Sequence, residues 1–259
     1  MPSVWSHWSS SPSWRRQSNR GRRLAGEVSY VVAFQHDMLI RFTDFNNADA
    51  AIRAYETQWR ELENVLAEMP LHLKASDQEG IQGNPIFDPV GTNEYIKAVL
   101  TRIGWRAGIA IPQEFNFLGK DVDFVKDGAI VEVQFSNYPF LLNNTMRSEL
   151  FFKAKTKFGG VATGVLFIVT KAKMFPASNS TLYYEQAISQ LTALTRNKVF
   201  DIPMRLIGLF ERVGVNVNVK CTAYGNARYS RMVSSRLDYV CDIEERGARC
   251  TLTIRPATR

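Results

Sequence analysis

Cysteine and histidine are scarce in this chain of 259 residues, with three of each. Cys221, Cys241 and Cys250 all lie towards the C-terminus; an odd count cannot pair completely, and no CxxC spacing or adjacent histidine offers a zinc site. Free thiols in a reducing cytoplasm are the expectation. His7, His36 and His72 have no second histidine at metal-ligand spacing, and His72 reads as a buried or hydrogen-bonded structural residue. Long apolar runs are missing as well: a stretch such as 164–170 is far too short to cross a bilayer. Near the N-terminus, Arg15, Arg16, Arg20, Arg22 and Arg23 interrupt any apolar stretch of signal-peptide length. The expectation is therefore a cytoplasmic protein with no membrane partner. There is no internal repeat. Acidic residues are outnumbered, 25 Asp and Glu against 32 Lys and Arg, for a formal charge of +7. That balance favours a polyanionic partner, although many proteins without one share it.

What remains is the composition of a folded protein: 45% hydrophobic and 22% charged residues, enough for one sizeable core and an appended subdomain. Residues 1–37 stand apart. They hold eight serines, five arginines and three of the five tryptophans, with no periodicity until Val28. Arginine beside tryptophan can stack on nucleic acid, but a tail of this composition cannot bury enough apolar surface to offset its ordering entropy. It is expected to be a disordered or non-native extension, dispensable to the folded body.

From Met38 the pattern tightens into an α/β body read as residues 38–212. A short strand is predicted over 38–42, then a helix with Asn46, Asn47 and Asp49 as N-cap candidates. Ile52, Tyr55, Trp59, Leu62 and Leu66 recur at intervals of three and four and make its apolar stripe, which Pro70 ends. A second helix is predicted to start near Thr92, with Ile96, Val99, Leu100 and Ile103 inward and Gly104 closing it. Strands are predicted over 122–126 and 129–135, a helix over 143–155, a fully buried strand over 164–170, a helix through Tyr184, Ala187, Leu191 and Leu194, and a strand over 204–209. After Glu211 the chain alternates strictly (VNVNVK, later CTLTI), so residues 213–259 are read as a β-rich subdomain.

The stretch GKDVDFVKDGAIVEVQFSNYPF, residues 119–140, carries the chemistry. Lys126-Asp127-Gly128 is a strong hairpin signal. Side chains alternate along a strand, so Glu132 and Gln134 share a face while Val131, Val133 and Phe135 take the other. Asp123 sits on the neighbouring strand, and the hairpin can bring it to Glu132 at one end of a sheet. Two carboxylates so placed suit a hard cation such as Mg²⁺, which lowers the pKa of a bound water and offsets charge on a phosphodiester. An acidic pair on a hairpin is also the ordinary form of solvated surface charge. The spacing alone is a weak motif.

Its flanks are specific. The segments MPLHLKASDQ (69–78), IFDPVGTN (86–93), VEVQFSNYPFLLNNT (131–145), MFPASNSTLYYEQA (174–187) and ARYSR (227–231) resemble the BglII family of type II restriction endonucleases, within the PD-(D/E)XK nucleases. The resemblance runs from about Met38 to about Arg231. It implies a nuclease core over 38–212, a central mixed sheet flanked by helices, with 213–259 contributing to DNA binding. It further implies a Mg²⁺-dependent homodimer that cuts double-stranded DNA at a palindrome. The expected site is AGATCT, cut after the first A to leave GATC overhangs, or a related sequence centred on GATC. A cognate DNA methyltransferase is the implied functional partner in the host.

Residue by residue, Asp123 resembles the metal-binding aspartate and Glu132 the first acid of the family's catalytic element. The Val133 carbonyl is implied as a further metal ligand. Gln134 stands where most relatives carry lysine; an amide cannot serve as a general base, which leaves metal-bound hydroxide, Glu132 or a substrate phosphate to take the water's proton. Gly108 occupies a position at which the family's namesake has asparagine, a departure that Asn116 is a candidate to make good. For DNA contacts the resemblance points to Ser136 and Asn137 directly after the catalytic strand, to Asn179 and Ser180, and to Tyr229 and Arg231. Asn179 and Ser180 also have the form of an N-cap. Arg147 reads as a phosphate clamp or an ordinary surface arginine. Two other functions remain open: a cleavage-deficient DNA-binding protein of the same fold, and a repair nuclease without a fixed palindrome.

Overall fold

Residues Val165–Lys171 and Met204–Glu211 are buried at every position, as strands are when both faces of a sheet are covered. In the computed structural model of the chain they lie in the middle of a seven-stranded mixed sheet. The structure describes residues 28–31, 38–173, 176–178, 181–225, 231–247 and 249–256. In chain order the elements are β1 (Val28–Val31), β2 (Met38–Phe45), α1 (Ala48–Ala51), α2 (Glu56–Ala67), β3 (Leu71–Ala75), β4 (Pro85–Phe87), α3 (Pro89–Arg102) and β5 (Arg106–Ala110). There follow β6 (Asp121–Lys126), β7 (Ala129–Val133), α4 (Pro139–Lys153), β8 (Val165–Lys171), α5 (Tyr184–Arg196), β9 (Met204–Glu211), β10 (Gly214–Tyr224), β11 (Val233–Arg246) and β12 (Arg249–Pro256).

The large sheet runs β1-β2-β9-β8-β7-β6-β5, parallel through β9, β8 and β7 and antiparallel elsewhere. Alternation along β8 divides its core: Phe167 and Val169 pack with Trp59, Leu62 and Leu100 on one face, Leu166 and Ile168 with Leu191 and Ile202 on the other. A second, five-stranded sheet runs β12-β11-β10-β3-β4. The β-rich C-terminal residues therefore do not pair only among themselves. β10 lies parallel to β3, with Val219 beside Leu71, and Val217, Val219, Cys241 and Ile243 join the core of the first face. The three cysteines are free.

Several boundaries differ from the sequence expectation, each for a local reason. Val28–Val31, inside the segment expected to lack structure, pairs antiparallel with β2; the rest of 1–37 lies outside the described residues. Asn47 occupies an N-cap position at φ 60° with no side-chain cap, and Asn46 instead donates to the Phe200 and Ile202 carbonyls at 2.8 and 3.3 Å. The expected first helix is divided by a 3₁₀ turn over Ile52–Tyr55. α3 begins three residues before Thr92, because Asp88 caps it and Pro89 suits its first turn. Ile103, expected inward, is 37% exposed beyond the helix end. α4 starts at Pro139 rather than at 143, again with proline in the first turn.

Candidate active site

The hairpin of β6 and β7 sets the first dimension of the site. Asp127 and Gly128 both have positive φ, 46° and 84°, the backbone that a two-residue hairpin turn requires. Phe124 faces Val131 across the pair, so the next step outward brings Asp123 beside Glu132. On the other side Ala107 faces Phe124 and Ile109 faces Val122, which puts Gly108 opposite Asp123. The Val133 N–H donates to Asp123 Oδ2 at 2.7 Å. A cleft opens over these strands, with Asp121, Asp123, Gly108 and Val133 on its floor and Asn93 and Lys97 of α3 on its wall.

The two acids differ in depth. Asp123 opens onto the cleft, yet the protein packed around it raises its pKa, and the charge of Asp121 adds to the effect; the Val133 N–H and Arg147 oppose it. Glu132 is 2% exposed. Burial pushes its carboxyl up to about 8, with Arg147 pulling the other way and Asp123 pushing further. Arg147 Nη2 donates to Glu132 Oε1 in a buried ion pair. The chain makes room for that guanidinium at Gly119, where φ is 141° and a Cβ would lie 2.5 Å from Arg147 Nη1. Arg147 thus leaves its expected place as a phosphate clamp: it is inside, and it holds Glu132.

Gln134 is also turned to an unexpected task. β7 ends at Val133 rather than at 135, and the Gln134 side chain, 4% exposed, is directed into the following loop. Its Nε2 donates to Ser136 Oγ at 2.9 Å, to the Ser136 carbonyl at 3.2 Å and to the Asn137 carbonyl at 3.4 Å. Its Oε1 accepts from Asn144 Nδ2 at 3.1 Å. The amide ties β7 to the Ser136–Asn137 loop, and both loop residues remain exposed.

Of the other expected DNA contacts, Arg231 is exposed, whereas Asn179, Ser180 and Tyr229 lie outside the described residues. Asn116 stands on the 3₁₀ turn Gln113–Leu118, and its backbone carbonyl accepts from Gly119; the amide that lines the cleft with Gly108 belongs to Asn93. Asp121, Asn93 and Lys97 were not singled out from the sequence. The alternation in DVDFV marks Asp121 as sharing a side with Asp123, and Asn93 and Lys97 stand one helical turn apart. Nothing in their local pattern says that the helix faces the hairpin.

The sequence profile described as "Restriction endonuclease BglII/BglIII" matches residues 40–209 of the chain. Type II restriction enzyme BglII of Bacillus subtilis is 51% identical over 199 residues, covering 77% of this chain and 88% of that protein. The crystal structure of restriction endonuclease BglII complexed with a DNA 16-mer matches with a TM-score of 0.79 at 47% identity, over 84% of this chain and 100% of that one. The structure of free BglII matches with a TM-score of 0.66 at 45% identity, over the same shares.

Proposed function

The chain belongs to the BglII/BglIII family of restriction endonucleases, and we propose that it hydrolyses both strands of DNA at AGATCT or a related GATC-centred palindrome. Cutting after the first A leaves GATC overhangs. Its α/β core has the PD-(D/E)XK restriction-endonuclease fold. The observation that carries the reading is the placing of Asp123 and Glu132 on adjacent strands, one hydrogen-bonded amide away from the exposed Ser136–Asn137 loop. Chemistry and base reading are joined within one stretch of chain.

Mg²⁺ is the proposed cofactor. The carboxylates of Asp123 and Glu132 and the carbonyl of Val133 are hard oxygen donors, and among the described residues no histidine or cysteine lines the cleft. Mg²⁺ takes few protein ligands and keeps several waters. When bound, it lowers the pKa of a coordinated water and offsets charge on the phosphodiester. The chain's own residues orient the parts: the Val133 N–H fixes Asp123, Arg147 fixes Glu132, and Gln134 holds the loop. Gln134 cannot take the proton of the attacking water, so Glu132 or a phosphate oxygen of the substrate accepts it.

Ser136, Asn137, Asn179, Ser180, Tyr229 and Arg231 are assigned to DNA contact, with 213–259 bordering the duplex and 1–37, β1 aside, outside the working enzyme. A palindrome asks for a two-fold symmetric reader, and a homodimer fits the exposed Tyr138, Phe140 and Leu142 at the start of α4. A host methyltransferase would protect the same sites. No helix among the described residues is long and apolar enough to cross a membrane, in keeping with work in the cytoplasm. Digestion of a sequenced phage genome with Mg²⁺, followed by end sequencing, tests the reading. Discrete fragments ending in GATC are expected. A shifted band without fragments would make the protein a binder, and fragments without a shared palindrome a repair nuclease.

A further inference from the structure

The wall of the cleft opposite Asp123 belongs to α3. Ile96 and Leu100 of this helix are fully buried, and the adjoining stripe of Asn93 and Lys97 lines the cleft. The helix is pinned at its start: Asp88 Oδ1 accepts from the Val90 N–H at 3.1 Å, and Arg236 Nη2 donates to Glu94 Oε2 at 2.6 Å. Lys97 is therefore carried on a fixed element rather than on a loop.

Of the described residues lining the cleft, Lys97 alone is cationic. Arg147 is committed to Glu132, and the amide of Gln134 to its loop and to Asn144. Asp121 and Asp123 share the cleft with Lys97, yet among the described residues nothing hydrogen-bonds or ion-pairs with its ammonium. The two carboxylates repel an anion, so for an anion that enters the cleft the Lys97 ammonium is the one cation to meet among the described lining residues. A phosphodiester has the right charge and two free oxygens to meet the ammonium.

Resting on the nuclease reading above, we propose that Lys97 is a catalytic residue that contacts the phosphate being cleaved. As the water oxygen bonds to phosphorus and the P–O3′ bond breaks, negative charge builds on the non-bridging oxygens, and the Lys97 ammonium offsets it. The water's proton passes to an acceptor oxygen and the departing 3′ oxygen takes up a proton from solvent, so Lys97 keeps its own throughout. Its part is electrostatic.

The test compares the full chain with Lys97→Met, Lys97→Arg and Asp123→Asn on one AGATCT duplex. Single-turnover cleavage by Lys97→Met should fall by roughly 100-fold, the usual worth of one transition-state donor. Lys97→Arg should recover part of the rate, and the melting temperatures should match that of the unaltered protein. A second measurement, without divalent cation, compares binding to this duplex and to one whose scissile phosphate is a neutral methylphosphonate. Lys97→Met should bind the ordinary duplex roughly 5-fold more weakly, as for one exposed charge contact, and that difference should vanish on the methylphosphonate. Cleavage within about threefold of the unaltered rate, well short of that effect, would overturn the role of Lys97 and leave the nuclease reading intact. So would a binding difference that persists on the methylphosphonate, or a lowered melting temperature with a loss that arginine does not repair. Failure of the unaltered chain to cut would overturn both.

Discussion

Arg147 and Glu132 form an ion pair inside the protein, with exposures of 5% and 2%. The guanidinium comes from α4, two elements along from the hairpin's first strand, and crosses Gly119 to reach the carboxylate of β7. Burial alone would make the Glu132 charge unfavourable; Arg147 is what opposes that, and it fixes one carboxylate oxygen in place.

Arg147→Met should accordingly leave a buried carboxyl without its partner. The expected loss is about 3–5 kcal/mol of stability, together with cleavage. Thermal or urea unfolding of the single variant and of the double variant Arg147→Met/Glu132→Gln makes the check. The double variant should regain most of the stability and none of the cutting. An unchanged melting temperature with weakened DNA binding would instead return Arg147 to the phosphate-clamp role.

Asp123→Asn should abolish cleavage and leave specific binding in place, because the proposed role of the carboxylate is to hold the metal rather than to contact DNA. Its stability should hold, since the fold already disfavours the charged form and an amide oxygen can still accept from Val133. Gel-shift affinity measured beside a cleavage time course separates the two effects. Cutting near the unaltered rate would remove Asp123 from the metal site.

Gln134→Lys should inactivate this protein. An ammonium only donates, so Asn144 Nδ2 would lose its acceptor, and a cation would be buried at a position 4% exposed. A stability cost of about 1–3 kcal/mol is expected for the unmet hydrogen bond, with poorer discrimination between AGATCT and a singly altered site. Unimpaired discrimination would show that the amide does not organise the Ser136–Asn137 loop.

His72 supplies a pH dependence away from the active site. It is 2% exposed, and neither ring nitrogen has a hydrogen-bond partner among the described residues. Burial, helped by the charges of Arg236 and Lys220, lowers its pKa from 6.5 to about 4. The folded state therefore binds this proton less readily than the unfolded chain, so the neutral ring's contribution is whole above pH 6.5 and is lost as pH falls towards 4. The gap corresponds to about 3 kcal/mol. Unfolding free energies at pH 7 and pH 4 should fall less in His72→Asn than in the unaltered chain by about that amount. Equal pH dependence in the two proteins would show that His72 does not titrate on unfolding.

How much was legible in the sequence depends on how far each feature reaches. The hairpin of β6 and β7 was, because alternation and an Asp-Gly turn are local properties of the backbone. The apolar stripes of α2 and α3 were legible for the same reason, Ile103 excepted, as were β8 and β9 from their unbroken apolar runs. Element ends were less so: Asp88 and Pro89 start α3, and Pro139 starts α4, ahead of the first apolar repeat that marks either helix.

The sequence by itself determined which residues stand on the hairpin and, through matching runs of ten residues and more, which family the chain resembles. Only the tertiary structure decided what the long polar side chains meet. Arg147 reads from the sequence as a phosphate clamp or a surface arginine, and it became the buried partner of Glu132 because α4 packs over Gly119. Lys97 gained its place because α3 lies across the cleft from Asp123, and β3 joined the C-terminal strands because Leu71 meets Val219. Periodicity records the direction in which a side chain leaves its own element. The partner it finds there comes from a distant part of the chain, and is set by how whole elements pack against one another.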